Sequence, residues 1–143
     1  LLQSYVRNFG AIARTAECAG VDAIIIPSKG SVSVTADAVK TSAGALMNIS
    51  VCRVSSLYNT VKYLKSSGLQ VVGASEKATK NYTEADMTLP LALVMGAEDK
   101  GISTEILSLV DTTVSLPQYG KIASLNVSVA AGVMIYEVLR QRY

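Results

Sequence analysis

Short β-branched runs alternate along this chain with segments whose apolar residues recur every three or four positions, and that alternation lays out its elements. Val21 to Pro27 (VDAIIIP), Val51 to Val54, Leu69 to Ala74 (LQVVGA), Leu89 to Met95 and Thr113 to Leu116 read as strands short enough to be buried in a parallel sheet. Between the strands, Ala11 to Ala19 places Ile12, Ala16 and Ala19 at helical spacing, with Arg14 and Glu17 on other faces and Gly20 as a stop. A brief helix is expected around Ala36 to Ser42, closed by Gly44. Another follows Ser55 or Ser56, with Leu57, Val61 and Leu64 on one face and Gly68 at its end, and Ser103 is placed to cap a third reaching about Val110. Leu1 and Leu2 read as the end of a strand whose beginning is missing, so the opening is expected to be strand, loop and helix in a truncated chain. No hairpin signal separates the strands, which argues for an α/β fold with a mainly parallel sheet and helices on both faces.

Two stretches stand apart from this pattern. Ser75 to Thr88 is polar and lacks apolar periodicity, so it is expected to be an exposed, mobile loop with at most one helical turn. Leu116 to Arg142 begins with a Pro117–Gly120 turn, passes through Ser124-Leu125-Asn126, and continues as a long apolar segment that fills more than one helical face. Such a helix must be buried. Its polar start (Ser124, Asn126, Ser128) either caps the helix, with Ser124 as the expected cap, or faces a ligand.

The totals narrow the class. The chain's 143 residues fit one domain, residues 1–143, able to bury a core without metal or disulfide help. Glu137 and Arg140 interrupt the longest apolar run before it reaches the ~18 residues a membrane span requires, no leader-like segment opens the chain, and Cys18 and Cys52 lie in apolar periodic segments. These features fit a soluble protein of the reducing cytoplasm. A net charge of +2, from 13 basic and 11 acidic residues, permits a polyanionic partner without arguing for one. The absence of histidine says more: it excludes Ser-His and Cys-His nucleophile pairs, imidazole proton shuttles and His-containing zinc sites. Catalysis would have to use Arg, Lys, Glu, Asn, Ser or a cofactor.

Ligands of open α/β sheets bind at the carboxyl ends of strands, and three loops stand out there: one with Asn8 and Arg14, one with Gly96 and Glu98, and one from Leu116 to Asn126. Taken singly, each has a plain structural reading, with Asn8 as a helix cap, Gly96 and Gly101 as turn formers, and Arg14 with Glu98 as an ion pair. GAEDKGIS is not a phosphate loop, because Lys100 precedes Gly101 and Glu98 and Asp99 put negative charge where phosphate would lie. The Glu98–Asp99 pair has no evident third ligand, so no metal is expected.

Taken together, NFGAIARTAECAG (Asn8 to Gly20), LALVMGAEDKGIS (Leu91 to Ser103) and SLPQYGKIASLNVSVAAGVMIYE (Ser115 to Glu137) resemble, in order and separation, the three motifs of the SpoU-type, TrmH-like RNA 2′-O-ribose methyltransferases of the SPOUT class. The likeness spans nearly the whole chain. It implies a C-terminal segment threaded into a deep trefoil knot, a rare exception to the rule against threaded loops. It also implies S-adenosylmethionine as cofactor, held by backbone groups near Gly96, Leu116 and Leu125, with Asn8, Arg14, Glu98, Ser124 and Asn126 as the functional polar residues. The implied reaction moves the sulfonium methyl to a ribose 2′-hydroxyl, in ribosomal RNA rather than tRNA, within a homodimer. A guanidinium stays protonated near neutrality and is a poor base, so Arg14 is expected to clamp an RNA phosphate and stabilise the developing alkoxide, with Glu98 and Asn8 orienting it. Tyr5 and Val6 stand where the family commonly has Asp-Pro, and the N-terminal RNA-binding domain of many relatives is not in this chain. Two other readings are a noncatalytic RNA- or cofactor-binding paralogue and a plain Rossmann-like nucleotide binder.

Overall fold

The computed structural model describes residues 2–28, 36–96, 100–122 and 124–143, and its chain divides between Leu57 and Tyr58 into two compact units. The first unit holds helix α1 (Leu2–Cys18), strand β1 (Ala23–Pro27), helix α2 (Ala36–Thr41), a 3-10 turn (Ala45–Met47) and strand β2 (Ser50–Val54). β1 and β2 pair in parallel, from Ala23 opposite Ser50 to Pro27 opposite Val54.

The expected strand, loop and helix at the start are instead a single helix. Leu2, Val6, Phe9, Ala13 and Ala16 recur at steps of three and four, so the helical period runs back past Asn8 and Gly10. Phe9, Ala13 and Ala16 are buried. Gly10 is where α1 crosses α2: a β-carbon there would lie 2.6 Å from the Ala38 carbonyl oxygen and 2.8 Å from Thr41 Cβ. α1 ends as expected at Gly20, whose φ of 77° lets Val21 N–H donate back to the Ala16 carbonyl at 2.9 Å and Gly20 N–H to Glu17 at 3.1 Å. Cys18 and Cys52 are free thiols and both are exposed, although their segments read as apolar.

Most of helix α3 (Leu57–Ser66) belongs to the second unit, which continues through strand β3 (Gln70–Ala74), a 3-10 turn (Tyr82–Glu84), strand β4 (Leu91–Met95), helix α4 (Thr104–Leu107), strand β5 (Thr112–Val114) and helix α5 (Val127–Arg142). All three strands run parallel in the order β4-β3-β5, with Ala74 opposite both Met95 and Val114, so their carboxyl ends share one edge. Central β3 is buried at Val71, Val72 and Gly73, the continuous burial expected of a strand covered on both faces. Val72, Val114, Met87, Ala85 and Met134 form the core, with Leu91, Leu93, Leu116 and Val138 packed against them.

The polar stretch from Ser75 to Thr88 departs from the expected exposed loop. Met87 and Ala85 lie in the core, and Asn81 and Glu84 close a reciprocal capping box around the 3-10 turn. Tyr82 N–H donates to the Ser115 carbonyl at 3.0 Å and Ser115 N–H to the Lys80 carbonyl at 2.9 Å. The last turn of α5 then closes over the segment: Gln141 accepts from Met87 N–H at 2.7 Å and donates to the Ala85 carbonyl at 2.9 Å, and Arg142 Nε donates to the Met87 carbonyl at 3.1 Å. Glu137, buried on the same helix, accepts from Arg140 at 2.6 and 2.9 Å and from Gln141 at 2.9 Å. The Arg140 guanidinium holds its carboxyl below the usual carboxylate range, more than offsetting the opposing effect of burial. Ala85 and Met87, with Tyr82 packed against the same core, thus anchor a largely polar run, a placement that lacks the periodicity by which a core segment is recognised.

Helix α5 is also less enclosed than its composition suggests. Ala131, Met134 and Ile135 are buried, but Val129, Val133 and Tyr136 leave an exposed stripe, with Val129 52% and Tyr136 50% accessible. No helix among the described residues is long and apolar enough to cross a membrane.

Candidate functional site

The shared edge of β3, β4 and β5 is where a cavity of about 240 Å³ lies, entirely within the second unit. Each strand hands the chain to one of its walls: Ser75 to Lys77 after β3, Gly96 and Lys100 to Ile102 after β4, and Leu116, Gln118, Ser124 and Leu125 after β5. This is the position open parallel sheets reserve for ligands, because strand-end loops can vary there without disturbing the sheet.

Gly96 keeps its place at the wall as a turn former, together with Gly101. A β-carbon there would come 2.5 Å from the carbonyl carbon of Gly101 and 2.7 Å from both its Cα and the backbone nitrogen of Ile102. The glycine therefore lets the loop after β4 close on itself, while Gly101 takes a left-handed φ of 68° at the same crossing. Leu116 is half-buried, joining the core on one side and the cavity on the other. Leu125 is 45% exposed and Ser124 is exposed, both on the cavity wall.

The expected helix cap is displaced by two residues. Asn126, not Ser124, is the N-cap of α5: its side-chain oxygen accepts from Ser128 N–H at 2.9 Å, from Val129 N–H at 3.4 Å and from the Ser128 hydroxyl. An Asn oxygen accepts several bonds at once, which suits the free N–H groups of a first turn. Ser124, released from capping, lines the cavity, and Asn126 does not.

The cavity thus gathers Gly96, Leu116, Ser124 and Leu125 from the second and third motifs. Asn8 and Arg14 lie on α1 of the first unit, Asn8 half-buried inside the helix and so not its cap, and Arg14 exposed. Glu98 lies outside the described residues. Among the described residues, no group of three or more Cys, Asp or Glu could hold a metal ion. The sequence reading missed the wall after β3. The strand-end rule that selected the other loops applies equally to Ser75–Lys77, but the polarity of the run marked it as solvent-exposed loop.

The cavity fits an adenosyl cofactor in kind. Met95 and Leu116, backed by the buried Val114, give an apolar surface for an aromatic base, and the glycine crossing brings backbone groups to the wall, where they can bond to a ligand.

Comparison with known proteins agrees with the motifs. The family model described as "SpoU rRNA Methylase family" matches residues 3–136. A Staphylococcus saprophyticus protein assigned to the TrmH family of tRNA/rRNA methyltransferases is 42% identical over 135 residues, which are 94% of this chain and 54% of the relative. The 23S rRNA (guanosine-2′-O-)-methyltransferase RlmB of Shewanella oneidensis is 41% identical, over 94% of this chain and 55% of its own length. In structure, the SpoU methyltransferase AviRb of Streptomyces viridochromogenes, crystallised with AdoMet, superposes with a TM-score of 0.88 at 30% identity, covering 96% of this chain and 56% of AviRb. The chain spans about half the length of these three relatives.

Proposed function

Because the chain belongs to the SpoU rRNA methylase family, we propose that residues 1–143 form the catalytic domain of a cytoplasmic RNA methyltransferase that uses S-adenosylmethionine and acts on a ribose 2′-hydroxyl. One observation carries the reading: Gly96 from the second motif and Leu116, Ser124 and Leu125 from the third share a single strand-end cavity. The family description and the ribosomal RNA named for the Shewanella relative support rRNA over tRNA as substrate.

When bound, S-adenosylmethionine would supply a methyl group already activated by the adjoining sulfonium, and its transfer to the ribose oxygen would release S-adenosylhomocysteine and give the hydroxyl proton to solvent. The protein's task is then mainly positioning. Backbone groups at Gly96 and the apolar wall of Met95 and Leu116 would hold the adenosyl group. From the motif resemblance, Arg14 is given the role of clamping a phosphate of the acceptor strand through its planar fork and stabilising negative charge on the ribose oxygen, with Asn8 and Glu98 as the other polar residues of the first and second motifs. Ser124 supports the acceptor side of the cavity, and Asn126 acts at one remove by fixing the start of α5 through its cap. The chain from Leu116 onward is proposed to be threaded as the trefoil knot of the SPOUT class. The exposed α5 stripe of Val129, Val133 and Tyr136 is proposed as the homodimer contact.

The test is transfer of labelled methyl from S-adenosylmethionine to ribosomal RNA and, separately, to tRNA, each prepared from cells lacking the protein. Label at a 2′-oxygen of rRNA is expected. Cofactor binding without label in either RNA would instead identify a noncatalytic binding paralogue.

A further inference from the structure

The rim of the cavity carries charges that the three motifs do not account for. Directly after β3 the chain makes a turn, with Ala78 N–H donating to the Ser75 carbonyl at 3.1 Å and Lys77 N–H to Ser75 Oγ at 3.3 Å. Ser75 N–H in turn donates to the Val114 carbonyl of β5 at 2.9 Å, which ties the turn to the sheet. Glu76 and Lys77 occupy the two corners. Both are exposed and both line the cavity, whereas Val114 on the same wall is fully buried. Glu76 is the one carboxylate among the described lining residues, and neither ion pair found among the described residues, Lys65–Asp111 and Arg140–Glu137, involves it.

An acidic and a basic side chain side by side on an anchored turn, above an apolar wall, complement a zwitterion. The methionyl end of the cofactor carries an α-ammonium and an α-carboxylate on one carbon, and an apolar wall can satisfy neither. Resting on the cofactor reading above, we propose that Glu76 and Lys77 form the subsite for the amino-acid end of S-adenosylmethionine. Glu76 accepts from the α-ammonium and Lys77 donates to the α-carboxylate, while the adenosyl group lies on the apolar wall. Lys100 lines the same cavity, but it lies on the other loop, and only Lys77 shares a turn with Glu76 as the two charges share a carbon.

Calorimetric titration of the full chain with S-adenosylhomocysteine and with 5′-methylthioadenosine tests this, because the second ligand keeps the adenosyl group and lacks the amino acid. Glu76→Gln and Lys77→Met are each expected to weaken S-adenosylhomocysteine about fivefold, the scale of an exposed charge-assisted contact, and to leave 5′-methylthioadenosine unchanged. Unchanged binding of the second ligand also shows that the variants are folded. Equal losses for both ligands, no loss for either, or a selective loss on Lys100→Met in place of Lys77→Met would overturn the subsite while leaving the cofactor reading intact. Failure of the unsubstituted chain to bind either ligand would overturn both.

Discussion

At the scale of single residues, the site is arranged by which polar group is already engaged. Asn126 satisfies the first turn of α5, so Ser124 is left to the cavity. Asn126→Ala is expected to lower unfolding free energy by about 1 kcal/mol, the usual cost of a lost N-cap. Ser124→Ala should leave urea denaturation unmoved, and a reversed order would return the cap to Ser124. Arg14→Lys retains charge and loses the bidentate fork. Methyl transfer is expected to fall about 100-fold with cofactor affinity unchanged in the same titration, and full turnover would remove Arg14 from the chemistry. Asn8 was legible as a polar residue of the first motif, but its setting was not. A helix passing through Asn8-Phe9-Gly10 is decided by the α2 crossing that only glycine permits at position 10.

Elements are held to one another by contacts far apart in sequence. Met87 seats the β3–β4 connection in the core, and the end of α5 fastens it there. Met87→Ala is therefore expected to cost about 2–5 kcal/mol in denaturant unfolding, as for a buried methionine, whereas a residue of a mobile loop would cost almost nothing. At the amino ends of β3 and β5, Asp111 accepts from Val71 N–H at 2.8 Å and pairs with Lys65 at 3.2 Å. The Val71 N–H is the main cause of a carboxyl pKa below the ordinary value; desolvation opposes it and Lys65 assists. A carboxylate depressed in the folded state is protonated more readily in the unfolded chain. Its stabilisation is thus present above the ordinary value of about 4 and is lost as pH falls below it. Melting temperature should fall on acidification through that range, and Asp111→Asn should flatten the fall; an identical slope would place the acid sensitivity elsewhere.

For the molecule as a whole, the exposed stripe on α5 bears on assembly. Val133→Lys is expected to shift the sedimentation coefficient from dimer to monomer while far-ultraviolet circular dichroism stays the same. A monomer before substitution would remove this face as the contact.

The α/β class, the five strands and every glycine-stopped helix end were readable from the sequence because each rests on local physics: period two or near-continuous apolar runs for strands, steps of three and four for helices, and a left-handed stop at Gly20, Gly44 and Gly68. The loops that hold Gly96 and Leu116 to Leu125 were readable because each follows a strand, while the choice of Gly96, Leu116, Ser124 and Leu125 within them came from the motif resemblance. Tertiary structure alone decided that Met87 is core, that Glu137 is buried yet paired, that Asn126 rather than Ser124 caps α5, and that Glu76 and Lys77 stand at the cavity rim. Apart from the pairing of Glu137, whose partners Arg140 and Gln141 follow it in the same helix, each of these depends on packing against residues tens of positions away or on a choice between two locally equivalent groups. Local pattern carries information about a segment's own conformation; what faces that segment is settled only when the chain packs.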